Sequence, residues 1–264
     1  MRIITYNLRQ RGKREQWLGL ESESPDLLLL QESNDPATYA ATDPGGWRWQ
    51  QVNTARFGSA LWSRSGTLEP IPVPGFEGWI VMARVEGHDA HPAPFIAASL
   101  HAPGHLGSYI GTVGRMLDAL IPLCTGCPVV IGGDFNMATG RRDQGEPLVT
   151  TSAERRVLDR IESELGLIGC WQAGNPGQQL PQTLRWVINP VTAYHCDGLF
   201  VSPSWIRLLR ACIVLAPPHP AVISSAGAAM SDHNPVLADF RMNGASHASI
   251  ARRPGSLGHG TRTA

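Results

Sequence analysis

Residues 129–136 read Val-Val-Ile-Gly-Gly-Asp-Phe-Asn, an apolar β-branched run that ends in two glycines and a short polar segment. Val and Ile favour extended backbone, so the run predicts a strand over residues 129–132. Asp134 and Asn136 then emerge just beyond the end of that strand. A carboxylate and an amide in this position are candidates for a metal or phosphate site.

Polar side chains also follow three other apolar runs of the chain. They are Asn7 after residues 2–6, Glu32 after residues 27–31 and His101 after residues 95–100. Any one of them could simply cover the end of a buried strand. Five polar residues at strand ends favour one shared site, and their hard oxygen atoms suit Mg²⁺ or Mn²⁺ better than zinc.

Strand-like and helical patterns alternate along the chain. Strands are predicted over residues 2–6, 27–31, 59–63, 79–85, 95–100, 129–132, 198–202, 206–215 and 236–241, and helices over 14–23, 109–123 and 153–165. Several strands follow one another between Trp47 and Leu100 without room for a helix, which indicates hairpins. We therefore predict an α+β fold, a four-layer α/β/β/α sandwich whose two mainly antiparallel or mixed sheets pack face to face with helices outside.

The remaining segments lack periodicity. Residues 174–182 and 217–229 are rich in Gly, Pro, Gln and Ala, and we interpret both as loops near the active face. We expect one catalytic domain over residues 1–243. Residues 244–264 have almost no large apolar side chains, so we predict a disordered C-terminal tail.

Charge and apolar content exclude several classes of protein. The 22 basic and 22 acidic residues cancel, which removes the overall attraction expected of a sequence-blind nucleic-acid coat protein. No apolar run approaches the roughly 20 residues that span a bilayer, and we see no secretory leader. We expect a cytoplasmic monomer. The five cysteines are scattered, and we interpret Cys124 and Cys127 as packing residues rather than a metal or redox pair.

Six short segments together resemble one known family. They are Thr5-Tyr6-Asn7, Leu30-Gln31-Glu32, Ser99-Leu100-His101, Gly133-Asp134-Phe135-Asn136, Asp197-Gly198-Leu199-Phe200-Val201-Ser202 and Ser231-Asp232-His233-Asn234-Pro235. In this order they resemble the endonuclease/exonuclease/phosphatase superfamily. Its members share a deoxyribonuclease-I-like fold and include abasic-site nucleases, sphingomyelinases, inositol-phosphate phosphatases and deadenylases. The resemblance extends from residue 5 to residue 235.

The resemblance implies a metal site. Glu32, aided by Asn7 and Asp232, would hold Mg²⁺ or Mn²⁺ against a phosphate oxygen, where the cation acts as a Lewis acid. Asp134 would orient and deprotonate the attacking water. Asn136 would donate a hydrogen bond to a non-bridging oxygen and steady Asp134.

The resemblance also implies two histidines on the phosphate. His233 would be oriented by Asp197 through its other ring nitrogen, acting as a base or as an electrostatic stabiliser. His101 would protonate the leaving oxygen or stabilise the phosphate. Glu77 is a candidate to orient His101.

Three residues depart from the family pattern and bear on substrate identity. Trp79 and His195 stand where Arg is common. Gly198 replaces a frequent Tyr, and we expect it to open space beside Asp197.

These residues leave three functions to weigh. Nucleic-acid phosphodiester cleavage is our first hypothesis, since Arg9, Arg11, Lys13 and Arg14 follow Asn7 and Arg141-Arg142 follow Asn136. Arg9, Arg141 and Arg142 are the candidate substrate contacts. The segment after Asn7 does not match the Asn-Gly-Ile-Arg type of abasic-site nucleases, so that subgroup is not assigned.

The alternative is a phosphatase or phosphodiesterase acting on an inositol phosphate, a phospholipid or another small phosphoester. The third reading, an inactive phosphate-binding scaffold, is disfavoured because all eight site residues are present. Endo- or exo-cleavage is left open.

Overall fold

The computed structural model describes residues 1–40, 46–53, 55–142, 148–189 and 191–242. The tail predicted over residues 244–264 lies outside the described residues. Within them, no helix combines the length and apolarity needed to cross a membrane.

Twelve strands and five α-helices are present in the described part of the chain. The strands are β1 (Arg2–Arg11), β2 (Leu27–Ser33), β3 (Gly46–Gln51), β4 (Gly58–Ser63), β5 (Thr67–Ile71), β6 (Ile80–Glu86), β7 (Phe95–His101), β8 (Val129–Asp134), β9 (Ile168–Gly169), β10 (Asp197–Val201), β11 (Leu209–Val214) and β12 (Val236–Phe240). The helices are α1 (Arg14–Glu21), α2 (Tyr109–Leu120), α3 (Ser152–Ser163), α4 (Cys170–Gly174) and α5 (Pro203–Ile206), with 3₁₀ turns at Pro36–Thr38 and Gly104–Leu106.

The strands form two mixed sheets of six. Sheet 1 has the order β11-β12-β1-β2-β4-β3, and sheet 2 the order β5-β6-β7-β8-β10-β9. Each sheet has a parallel pair at its centre, β1 with β2 and β7 with β8, flanked by antiparallel partners. The predicted class of two mixed sheets with helices is confirmed, and the hairpins expected before residue 100 are β3–β4, β5–β6 and β6–β7.

The run of four leucines in β2 shows how the sandwich is built. Side chains alternate along a strand, so Leu27 and Leu29 enter the core between the sheets, whereas Leu28 and Leu30 enter a second core. All four are fully buried. A strand buried on both faces reads as continuous apolar sequence rather than as alternation.

The helices cover the outer faces. Val113, Met116 and Leu117 of α2 and Val157 and Leu158 of α3 pack on the outer face of sheet 2. On the outer face of sheet 1, Trp17 and Leu20 of α1 pack with Tyr6, Leu28 and Leu30. Burying one apolar side chain of this size adds roughly 1.5–3 kcal/mol to the stability of the fold. Both helical layers therefore stabilise the sheets that they cover.

Three strands were missing from the sequence prediction, namely β3, β5 and the two-residue β9, and one predicted strand was too long. β3 and β5 are edge strands with half-exposed polar sequence, and β5 contains Pro70, which is tolerated only where no ladder partner is needed. The strand predicted over 206–215 is shorter in the structure: Ile206 ends α5, and β11 begins at Leu209. The loop predicted over 174–182 starts one residue later, because Gly174 is the last residue of α4.

Gly133 is required by close strand packing. A Cβ atom there would lie 1.9 Å from the carbonyl oxygen of Leu100 on β7. We expect Gly133→Ala to lower the free energy of unfolding by about 3 kcal/mol, the upper end of overpacking costs. Gly114→Ala in α2 is the matched control: its nearest neighbour would be 3.9 Å away, and it should stabilise the helix by about 0.5–1 kcal/mol. Equal urea midpoints for the two variants would contradict this prediction.

Candidate active site

Strand register brings three site residues together on sheet 2. Asp134 at the end of β8 lies directly across from His101 on the parallel strand β7 and from Asp197 on the antiparallel strand β10. All three are buried. The carboxylate of Asp134 is therefore flanked on both sides by groups that the two neighbouring strands supply.

Asn7 connects this row to sheet 1. It is fully buried near the end of the regular part of β1, and its amide nitrogen donates to Asp134 Oδ2 at 2.9 Å and to Glu32 Oε1 at 3.2 Å. Its amide oxygen accepts the N–H of Arg9 at 2.8 Å. One amide thus links a carboxylate from each sheet.

Asp134 is the centre of the site. Its Oδ1 accepts the backbone N–H of Asn136 at 2.9 Å. Its Oδ2 lies 3.9 Å from His101 Nε2 and 3.7 Å from His233 Nε2. Asn136 Nδ2 donates to the carbonyl of Ala102 at 3.0 Å and to Asp134 Oδ2 at 3.3 Å, so both amide protons have partners within the protein.

His233 and Asp197 form a buried pair that spans the two sheets. His233 Nδ1 donates to Asp197 Oδ2 at 2.8 Å. Asp197 belongs to sheet 2, whereas His233 precedes β12 of sheet 1. Burial lowers the pKa of His233, but the charges of Asp197 and Asp134 and the hydrogen bond to Asp197 outweigh burial and raise it to about 10. The imidazole is therefore charged at neutral pH and faces Asp134 through Nε2.

Several site residues adopt strained backbone conformations. Glu32 and Asn136 have φ angles of 48° and 50°, and Arg9 and Gln10 after Asn7 have 56° and 55°. A non-glycine residue held in a sparsely populated backbone region destabilises the fold by about 1–3 kcal/mol. Such residues cluster at functional sites. The β1 register also shifts between Asn7 and Arg11, so the regular pairing of β1 with β2 is interrupted directly after Asn7.

Two groups of donor atoms could hold a metal ion. Among the described residues, one group combines Glu32, His101 and Asp134, and the other combines Asp134, Asp197 and His233. Burial raises the pKa of Glu32 and of Asp134 above their ordinary values. A divalent cation would relieve this cost, so the carboxylates fit a hard metal.

Asp232, the third predicted metal ligand, lies at the margin of the site. Its Oδ2 is 3.3 Å from Arg9 Nε. Its charge contributes to the raised pKa of Glu32, after burial. The structure therefore brings Asp232 near Glu32 but pairs its carboxylate with an arginine.

The other two predicted arginines are engaged elsewhere. The Arg141 guanidinium binds Glu162 at 2.6 Å and Asp159 at 2.7 Å, both on α3. Arg142 is buried and donates to the carbonyl of Ala193. Both guanidinium groups hold loops onto the fold, and their contact with substrate stays a prediction.

The structure resolves the three departures from the family pattern. A Cβ atom on Gly198 would lie 2.7 Å from the Cβ of Thr139, so the expected open space beside Asp197 is filled by Thr139. His195 is buried, and burial lowers its pKa to about 4, so its ring is neutral and donates from Nδ1 to the carbonyl of Pro181. The ring centroids of Trp79 and His101 lie 5.3 Å apart, in an edge-to-face contact.

Glu77, the candidate orienter of His101, is exposed. Its Oε1 accepts the N–H of Gly75 at 3.1 Å. This hydrogen bond holds the carboxylate within its own turn, and we give Glu77 no further role.

Thr183 supports the site, and no motif or periodicity in the sequence pointed to it. The Thr183 hydroxyl accepts the N–H groups of Cys196 at 2.9 Å and Asp197 at 3.0 Å. Its carbonyl accepts the N–H of Asn234 at 2.7 Å. Thr183 is fully buried and joins the backbone segments that carry Asp197 and His233.

A second buried polar group links the sheets beneath the site. Gln31 Nε2 donates to Ser99 Oγ at 2.9 Å and to Thr5 Oγ1 at 3.1 Å. The Ser99 hydroxyl donates in turn to the carbonyl of Leu30 at 2.9 Å. We call Gln31, Ser99 and Thr5 the inter-sheet polar cluster.

We expect Thr183→Val to lower kcat by about 10- to 100-fold, as is usual for residues that orient reacting groups, while KM stays within about twofold. Valine keeps the volume but cannot accept the two N–H groups. Thr183→Ser keeps the hydroxyl and should restore most of the rate. Steady-state kinetics of both variants, with circular dichroism to verify folding, measures the difference. If serine and valine gave the same rate, the hydroxyl would have no positioning role.

The sequence matches one known protein family over most of its length. A model of the Endonuclease/Exonuclease/phosphatase family matches residues 5–233. No curated protein matches the sequence.

Solved structures of endonucleases are among those with a similar fold. An AP endonuclease from Archaeoglobus fulgidus is 16% identical, with a TM-score of 0.68 over 92% of this chain and 100% of that one. The endonuclease domain of TRAS1, a telomere-specific non-LTR retrotransposon, is 14% identical, with a TM-score of 0.64 over 92% and 99%. The AP endonuclease LMAP from Leishmania major is 16% identical, with a TM-score of 0.63 over 90% and 86%. At these identities the likeness concerns the fold.

Proposed function

The chain belongs to the Endonuclease/Exonuclease/phosphatase family of phosphoester hydrolases, and we propose that it is a divalent-metal-dependent nuclease that cleaves nucleic-acid phosphodiesters by attack of water. The observation that carries the proposal is the buried Asp134 carboxylate, set between His101 and the His233–Asp197 pair and linked through Asn7 to Glu32. In this arrangement a base, two imidazole rings and a carboxylate able to bind a metal would surround one phosphate.

The metal would be Mg²⁺ or Mn²⁺, held by Glu32 with Asn7 and Asp232. Bound there, the cation supplies positive charge to a phosphate oxygen. Glu32 is half-buried and its carboxylate already accepts a hydrogen bond from Asn7, so its oxygen atoms are oriented before the metal binds. Use of Asp232 requires its carboxylate to leave Arg9, which frees that guanidinium for a phosphate.

Asp134 would take the proton of the attacking water. Its raised pKa makes it a stronger base than an exposed aspartate, and the N–H of Asn136 fixes Oδ1 while Oδ2 lies between the two histidine rings. The Asn136 amide would exchange its longer contact with Asp134 for a non-bridging phosphate oxygen.

The two histidines would act on different oxygen atoms of the phosphate. His233, charged and held by Asp197, would stabilise the negative charge that develops on the non-bridging oxygens. His101, between Trp79 and the carboxylates, would protonate the leaving oxygen.

Exposed cations support a nucleic-acid substrate. Arg9 is exposed beside the site, and Arg11, Lys13 and Arg14 are exposed on the segment that follows it. These last three make no ion pair with a described residue. Such a cluster suits a chain of phosphates better than a single small phosphoester. The endonuclease names of the similar structures agree with this substrate class.

A second candidate, a phospholipid phosphodiesterase, has one observation in its favour. Val187, Ile188 and Val191 are 73%, 79% and 90% exposed, close in sequence to Arg185, whose N–H donates to the Asp232 carbonyl. Exposed aliphatic residues next to an active site are typical of proteins that bind a lipid surface.

The test is a substrate panel of single- and double-stranded DNA, RNA, phosphoinositides and sphingomyelin, each with Mg²⁺, Mn²⁺ or Ca²⁺. We expect hydrolysis of a nucleic acid with Mg²⁺ or Mn²⁺ that stops on adding a chelator. Asp134→Asn, prepared in parallel, controls for contaminating nuclease. Hydrolysis of lipid substrates alone would replace the proposal by the second candidate, and activity that survives chelation would reject the metal.

A further inference from the structure

A cleft of about 690 Å³ opens beside Asn136. Its walls include Gly104, Tyr109, Ile110, Asn136, Met137 and Glu154. Asn136 belongs to both the cleft and the active site. A substrate group bound in the cleft would therefore belong to the nucleotide that carries the reacting phosphate or to the next nucleotide.

Tyr109 is the exposed aromatic residue of this cleft. It is the first residue of α2 and is 44% exposed. A Cβ atom on Gly104 would lie 2.9 Å from the Tyr109 Cζ and OH, so the ring lies against the backbone of Gly104 and only glycine permits this approach. The part of the Tyr109 ring near Cζ thus contacts the backbone of Gly104, and the rest of the ring is exposed to solvent.

The walls around the ring suit a planar uncharged group. Ile110 and Met137 supply apolar surface. The Glu154 carboxylate accepts the N–H groups of Ala138 at 3.0 Å and Thr151 at 2.7 Å, so its charge is already bound within the protein.

We propose that Tyr109 stacks on the base of the nucleotide next to the scissile phosphate. This inference rests on the proposed nuclease function and adds a base-binding subsite to it. Stacking on an aromatic ring accepts every base, because each has a π face, and it holds the adjoining phosphate beside Asn136. The subsite therefore gives affinity for nucleotides without sequence preference.

The experiment compares a dinucleotide with an analogue that lacks the base on one side of the phosphodiester. For the dinucleotide, Tyr109→Ala should raise KM by about tenfold, because loss of stacking on one base typically weakens binding by about tenfold or more. The value of kcat should change by less than about twofold. Tyr109→Phe should behave as wild type. On the base-free analogue, which wild type should already bind more weakly, Tyr109→Ala should have no further effect.

Gly104→Ala provides a second variant that keeps the tyrosine. Its methyl group would displace the ring, so it should also raise KM, and the double variant with Tyr109→Ala should be no worse than Tyr109→Ala alone. Ile213→Ala, 45% exposed on β11, is the control for loss of an exposed apolar side chain and should leave KM unchanged.

Two results would overturn the inference while the nuclease proposal stands: an unchanged KM of Tyr109→Ala for the dinucleotide, or an equal rise for the base-free analogue. The second result would mean that the ring contacts the sugar or phosphate instead. Failure of wild type to hydrolyse any nucleic acid in the panel would instead reject the nuclease proposal, and the subsite with it.

Discussion

Asp134→Asn is expected to lower kcat by about 10⁴-fold, the upper end of the usual contribution of a general base. Asparagine keeps the shape and can still accept the N–H of Asn136, but its amide cannot take a proton from water. The loss should be large because Asp134 also lies near both histidines. One substitution therefore removes the base and also the negative charge that attracts the rings of His101 and His233.

The control for this prediction is Glu32→Gln. If Glu32 holds the metal, Glu32→Gln should weaken metal binding by at least about tenfold, or about 1.4 kcal/mol, whereas Asp134→Asn should bind metal within about threefold of wild type. Calorimetry of metal binding beside steady-state kinetics separates the two roles. Wild-type turnover by Asp134→Asn would eliminate the mechanism, and a loss of metal affinity equal to that of Glu32→Gln would make Asp134 a ligand rather than the base.

His233→Ala and Asp197→Asn form the second prediction. Each should lower kcat by about 10²- to 10⁴-fold, because the first removes the charged ring and the second weakens the hold on it. His233 Nδ1 lies 2.8 Å from Asp197 Oδ2, so the two residues act together. The fold loss of kcat in the double variant should therefore be smaller than the product of the two single losses.

His219→Gln is the matched control for the pair. His219 Nε2 also lies near a carboxylate, 3.1 Å from Glu23 Oε1, but it takes no part in the site. It should keep nearly full activity. Fully multiplicative losses at His233 and Asp197 would show that the two residues act independently.

That these residues lie close together was predictable from the sequence, because each of them lies at the end of a strand. Asn7, Glu32, His101 and Asp134 each end or follow an apolar run, and parallel or antiparallel register then aligns them. These facts follow from local periodicity, which the sequence displays directly. The mixed-sheet sandwich was predictable for the same reason.

Thr183 could not be predicted from the sequence. It lies after a Gly- and Gln-rich segment without periodicity, and its partners Asp197 and Asn234 are distant in sequence. Arg141 and Arg142 stay predicted substrate contacts, but the sequence could not show that their guanidinium groups bind acceptors on α3 and at Ala193 in the structure. Such pairing depends on tertiary structure, which neighbouring residues do not reveal.

The inter-sheet polar cluster has a consequence for how this fold tolerates change. Apolar packing between sheets has no preferred direction, so a substitution in that core can let the sheets slide or tilt slightly. The hydrogen bonds from Gln31 to Ser99 and from Ser99 to the carbonyl of Leu30 cross between the sheets and oppose such a shift near the reacting groups. A substitution elsewhere in the apolar core should therefore change the stability of the fold more than it changes the spacing of the reacting groups.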